Sequence, residues 1–155
     1  MNYWLMKSEP DTFGIDHLAK APKRTSGWDG VRNFQARNYL REMRAGDLAF
    51  FYHSSTAVPG IAGIVEVVRE AYPDRTAFDP KNDHYDADSD PDKPRWYQVD
   101  VQLVRKFAAV VSLEQLREHA SAKLKDMVIL KRGNRLSITP VTKSEWQFIE
   151  SLAGK

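Results

Sequence analysis

Ile61-Ala62-Gly63-Ile64-Val65-Glu66-Val67-Val68 carries one charge in eight residues, and most of the other seven are aliphatic. An apolar run of this length, rich in β-branched residues and preceded by the Pro59-Gly60 turn signal, reads as a strand buried on both faces. Gly60 and Gly63 suit a strand with close neighbours. Upstream, Gly46-Asp47 closes a helical pattern and opens an apolar strand through Leu48, Phe50 and Tyr52, followed by a loop from Ser54-Ser55 to Pro59-Gly60. Downstream, Tyr97, Val99, Val101 and Leu103 alternate with Gln98, Asp100 and Gln102, the pattern of a half-exposed strand. With a short aromatic-apolar strand at residues 3–6, these segments predict a curved sheet.

Short helices accompany it. Asp11 is placed to cap a first helix carrying Ile15 and Leu18, and Asn33 a second. In the second, Ala36, Tyr39, Leu40 and Met43 fall on one face, leaving Arg37, Arg41 and Arg44 outside. Ser112-x-x-Gln115 and Thr142-x-x-Glu145 are capping boxes that open two more helices, and Trp146, Ile149 and Leu152 form the inner face of the last. Between these two, Lys131-Arg132-Gly133-Asn134-Arg135 is a basic turn leading to Leu136, Ile138 and a stop at Pro140. The fold class is α+β.

The chain's 155 residues fit one domain, 1–155. It has no cysteine, which excludes disulfides, thiolate metal sites and cysteine nucleophiles and fits a cytoplasmic location. No segment approaches the ~20 apolar residues of a membrane helix, so no membrane partner is expected. The net charge of +2 is unevenly spread: residues 70–94 hold eight acidic and three basic side chains, leaving +7 on the rest. Cations crowd residues 20–44 and 123–135, and such clusters attract phosphates. The Pro-, Asp- and Asn-rich excursion at 73–94 is long enough for a binding loop or a mobile one.

Trp28-Asp29-Gly30-Val31-Arg32-Asn33 puts an aromatic plane, a glycine turn, a cation and an amide within six residues. An indole face stacks on flat rings, glycine allows close backbone approach, and an amide presents donor and acceptor together. Catalytic signals are thin. The four histidines, His17, His53, His84 and His119, lack metal-site spacing, so no metal is expected; no phosphate-binding glycine loop or nucleophile elbow is present.

Tyr3-Trp4-Leu5-Met6-Lys7-Ser8-Glu9-Pro10, the Trp28–Asn33 block with Ala36-Arg37-Asn38, Gly46-Asp47 through Phe51-Tyr52-His53-Ser54, Pro59-Gly60-Ile61, and Arg132-Gly133-Asn134-Arg135-Leu136-Ser137 together resemble the EVE domain family. The resemblance spans nearly the whole chain. It implies a PUA-like fold, a small twisted β-barrel with short flanking helices, and kinship with YTH readers of methylated adenine. It also implies binding of a modified nucleobase, in DNA or RNA, without turnover and without a cofactor.

Carried onto this sequence, the resemblance makes an exposed Trp28 indole the wall of an aromatic pocket, with Ser8, Asn33 and Ser54 as polar lining. Tyr85 is the expected second wall and Phe78 its reserve. Lys7, Arg32, Arg37, Lys131, Arg132 and Arg135 are the expected phosphate or base-edge contacts. Two other readings stand beside this one: an RNA-processing enzyme or nuclease using His53 or His84 as general acid–base, and a sensor of free nucleosides. Steep loss of affinity with salt would separate a polymer binder from the sensor.

Overall fold

The computed structural model describes residues 1–154. Its centre is one six-stranded sheet in the order β2-β5-β4-β3-β1-β6. The strands are β1 (Tyr3–Ser8), β2 (Thr25–Trp28), β3 (Leu48–His53), β4 (Gly60–Pro73), β5 (Tyr97–Ser112) and β6 (Ile138–Val141). β1 runs parallel to β3, and every other neighbouring pair is antiparallel. The end strands β2 and β6 are not paired with each other. The helices are α1 (Pro10–Phe13), α2 (Ile15–Lys20), α3 (Phe34–Glu42), α4 (Leu113–Arg117) and α5 (Lys143–Ala153). The expected α+β arrangement, a curved sheet with short helices around it, is present.

Both sheet faces are buried, because side chains alternate along each strand. Trp4, Met6, Ala49 and Phe51 point to one side, where they meet Ile15, Leu18, Leu40 and Trp28. Leu5, Phe50 and Tyr52 point to the other, against Leu116, Trp146 and Ile149. Trp146 stacks on Phe50 with ring centroids 3.8 Å apart. β4 and β5 serve both cores, since register shifts along their pairing turn the strands and move side chains between faces.

Several local readings are refined. β5 runs nine residues beyond Leu103, and β4 five beyond Val68. Gly14 splits the first helical segment in two; Asp11 lies inside the first turn of α1 rather than at its cap, which is Glu9. Pro140 does not stop the chain but sits inside β6, an end strand, where the missing N–H is tolerated. Asn33 caps α3 by accepting from Ala36 N, and Thr142 with Glu145 forms a complete capping box. Among the described residues no helix is long and apolar enough to cross a membrane.

Candidate functional site

Where the C-terminal end of β1 approaches β2, a cleft of about 590 Å³ opens. Its lining comes from five places: Lys7–Glu9 at the end of β1, Thr12 and Phe13 of α1, Ser26–Trp28 of β2 with the following Asp29–Arg32, Asp83 and His84, and Ser137. Ser137 is brought there by Lys7 N, which donates to its carbonyl at 2.8 Å. β2 is an end strand, paired with β5 on one side. A second depression, about 700 Å³, lies at the other end of β1 between Met1–Trp4, Glu42 and Pro140–Lys143. None of the sequence-predicted site residues borders it, and its Trp4 already donates its indole N–H to buried Asp47.

Trp28 is not the exposed plane expected from the sequence. It is 6% exposed, and Phe51 and Phe13 pack against it at 79° and 85°. The ring belongs to the core and reaches the cleft as its floor. Phe13, half-buried, and His84, exposed, are the aromatic rings at its sides.

The wall carrying His84 is held by a buried carboxylate. Gly30, in the left-handed region at φ 80°, brings its backbone directly under the imidazole: a Cβ there would lie 2.7 Å from His84 Cε1. Gly30 N donates to Asp74 Oδ2 at 2.8 Å. Arg32 Nη1 donates to the same oxygen at 3.0 Å, while its Nε and Nη2 donate to the His84 carbonyl at 3.0 and 2.6 Å. Asp74 is fully buried; burial opposes its charge, but hydrogen bonds from Thr76, Gly30 and Arg32 outweigh that and hold its pKa below the usual carboxylate range. Beyond it, Asp79, Asn82, Asp86 and Asp90 each accept from the backbone N–H two residues on, the turn that short Asx side chains favour. The excursion rich in Pro, Asp and Asn is thus an ordered flap.

Several expected pocket residues lie elsewhere. Asn33 does not line the cleft, because its amide oxygen is used as the α3 cap. Tyr85 is exposed outside the lining: the Asx turn at Asn82 presents the preceding residue, His84, instead. Phe78 closes a short 3₁₀ turn, and Ser54 backs the cleft only through its N–H, which donates to the Ser8 carbonyl. Ser8 does line the cleft, but its hydroxyl proton goes to the Phe13 carbonyl at 2.7 Å, leaving its oxygen to accept.

The expected cations divide in the same way. Arg32 is committed to Asp74 and His84, and Arg37 donates to the Arg95 carbonyl and to Asn38. Lys7 holds its ammonium over the Tyr52 ring at 5.8 Å, and burial lowers its pKa. Lys131, Arg132 and Arg135 are exposed, and none forms an ion pair among the described residues.

His53 does not enter the cleft. Its Nε2 accepts from Ile15 N at 3.1 Å, so that acceptor is already in use, and burial pushes its pKa down. Among the described residues no group of acidic or histidine side chains could hold a metal ion.

Asp29, next to Trp28, carries no signal of its own in the sequence beyond the Asp-Gly turn. It borders the cleft, and among the described residues no other residue donates to its carboxylate. The side chain keeps an exposed side, yet desolvation, with the nearby charge of Asp74, raises its pKa.

The EVE domain model matches residues 2–152. Thymocyte nuclear protein 1 of Homo sapiens is 47% identical over 99% of this chain and 75% of its own length. A crystal structure of human THYN1 protein in complex with 5-methylcytosine-containing DNA superimposes with a TM-score of 0.95 at 46% identity, covering 100% of this chain and 99% of that one. A protein from Pseudomonas putida superimposes at 0.93 with 48% identity, over 97% and 99% of the two chains. A family match over nearly the full length and the shared fold agree: the chain belongs to the EVE domain family.

Proposed function

We propose that this protein is a binding module that takes up a modified base of DNA, 5-methylcytosine being the first candidate, in the cleft above Trp28. The observation that carries the reading is the cleft itself. Three rings border it, its size lies within the range of small-ligand sites, and it occurs on a fold shared with a relative crystallised with such DNA.

A base leaving the stack enters between His84 and Phe13 with Trp28 beneath it. Stacking contributes about 1–3 kcal/mol, against a cost of a few kcal/mol for extruding a paired base. The balance requires phosphate contacts, which the exposed cations Lys131, Arg132 and Arg135 supply from the segment leading to Ser137. Burying a methyl group adds only ~0.8 kcal/mol, about fourfold, so the methyl alone gives modest discrimination. The His84 imidazole, rather than Tyr85, is the second wall in this reading. Its use as a stacking surface is favoured over general acid–base work because, among the described residues, no second titratable group is hydrogen-bonded to its ring in a relay.

The test is binding of fluorescent duplexes that differ only in one 5-methylcytosine, measured by anisotropy with wild type and His84→Ala. Wild type is expected to favour the methylated duplex several-fold. H84A is expected to lose about tenfold in affinity, at the lower end of a stacking contribution, with little change in melting temperature. Equal binding of both duplexes by wild type would remove the reading. Trp28→Ala is the poorer probe, because truncating this core ring destabilises the fold as well.

A further inference from the structure

The chemistry lining the cleft specifies more than a flat ring. Three carboxylates border it, from Glu9, Asp29 and Asp83. The two cations in its lining are turned to other uses, Arg32 to Asp74 and the His84 carbonyl, Lys7 to the Tyr52 ring. Ser8 has given its proton to Phe13, so its oxygen also accepts. The lining is therefore rich in carboxylate and hydroxyl acceptors, which suit a ligand edge that brings donors.

Among the three acids, Asp29 is the one fixed to the cleft floor. It directly follows Trp28, the last residue of β2, and precedes Gly30, whose N–H is tied to buried Asp74. The backbone on both sides of Asp29 is thus held, while its carboxylate is left without a donor from any other residue among those described. All three acids are exposed, but only Asp29 adjoins the Trp28 ring along the chain.

Resting on the base-capture reading above, we propose that Asp29 selects bases carrying an exocyclic amino group, cytosine and its 5-substituted forms above all, and rejects oxo bases such as thymine. A carboxylate accepts from the cytosine N4 amino group. Thymine carries the same 5-methyl group but turns a carbonyl oxygen toward the same place, where two acceptors repel and the carboxylate is desolvated without return. The consequence is discrimination between 5-methylcytosine and thymine, the product of its deamination.

The experiment uses one duplex with a central 5-methylcytosine, cytosine or thymine, each opposite an abasic site so that pairing contributes equally. Affinities are measured for the full chain, for Asp29→Asn and for Glu9→Gln, with melting temperatures recorded alongside. Wild type is expected to bind the 5-methylcytosine duplex about tenfold more tightly than the thymine duplex, the gain of an accepted amino proton set against the repulsion of two acceptors. D29N, whose amide can donate to the thymine oxygen, is expected to bring the two within about threefold while melting normally. An unchanged ratio in D29N, or a ratio lost in E9Q instead, overturns the assignment to Asp29. If wild type binds all three duplexes equally, base capture fails too, a result distinct from a failed role for Asp29 alone.

Discussion

Two charged loops, one lining the cleft and one leading to Ser137 at its edge, treat their charges in opposite ways. In the excursion after β4, two carboxylates turn inward: Asp74 accepts from Gly30, Arg32 and Thr76, and Asp86 accepts from the Trp96 indole N–H at 2.6 Å. In the turn before β6, Lys131, Arg132 and Arg135 stay exposed, and Gly133 at φ 79° has open space around it. One loop uses charge to build a wall; the other keeps its charge in solvent. A cluster of like charges in a sequence therefore does not say which role it plays, because that depends on buried partners far away in the chain, 42 residues in the case of Arg32 and Asp74.

The largest effect is expected from breaking the inward set. Asp74→Ala leaves Gly30 N, Thr76 and the Arg32 guanidinium without their shared acceptor. Breaking a buried pair costs about 3–5 kcal/mol; Arg32, 23% exposed, recovers part of this by rehydrating, so about 2–4 kcal/mol is expected in denaturant unfolding. A destabilisation below about 0.5 kcal/mol would mean that the flap is not tied to the domain by this carboxylate. Next comes Gly30→Ala. A left-handed backbone costs an L-residue about 1–2 kcal/mol, and the new methyl displaces the His84 ring. Combining G30A with H84A should restore the steric part and leave the backbone part, so the double-mutant cycle shows a favourable coupling. Strict additivity would place the imidazole away from Gly30.

The fold was legible where local chemistry and periodicity agree. The Asn33 cap, the Thr142–Glu145 box and the apolar faces of α3 and α5 are local signals, and each names its own element. The far halves of β4 and β5 were not legible, since bulges change which face successive residues occupy and so erase the alternation from which a strand is read. The site was half legible. Asp29-Gly30 showed the tight turn, and Trp28 the aromatic, but its burial comes from Phe13 and Phe51, which no spacing links to it. The choice of His84 over Tyr85 depends on a one-residue phase set by an Asx turn, below the resolution of composition.

Acid sharpens the comparison from another side. Asp74 has a folded pKa below its unfolded one, so its contribution to stability is complete above the unfolded carboxylate range and is lost as pH falls through the folded value. The difference in melting temperature between wild type and D74A should then be largest near neutral pH and shrink from about pH 5 downward, as protonation does to the wild type what the substitution does at every pH. A difference that stays constant down to about pH 2 would show that the hydrogen-bond geometry at Asp74, rather than its charge, holds the flap.

The smallest effect on stability and the clearest on binding belong to the outward set. Replacing Lys131, Arg132 and Arg135 together by alanine removes no ion pair among the described residues, so folding stability should move by less than about 0.5 kcal/mol per site. DNA affinity should fall and its dependence on salt should flatten, the slope of log affinity against log salt decreasing by about 0.9 for each phosphate that the protein no longer neutralises. Arg37→Ala makes the matching control from the inward set: it removes the bond to the Arg95 carbonyl and should leave the salt slope unchanged. If the slope follows Arg37 and ignores the basic turn, DNA approaches over α3 instead, and the division between wall-building and partner-seeking charge runs the other way.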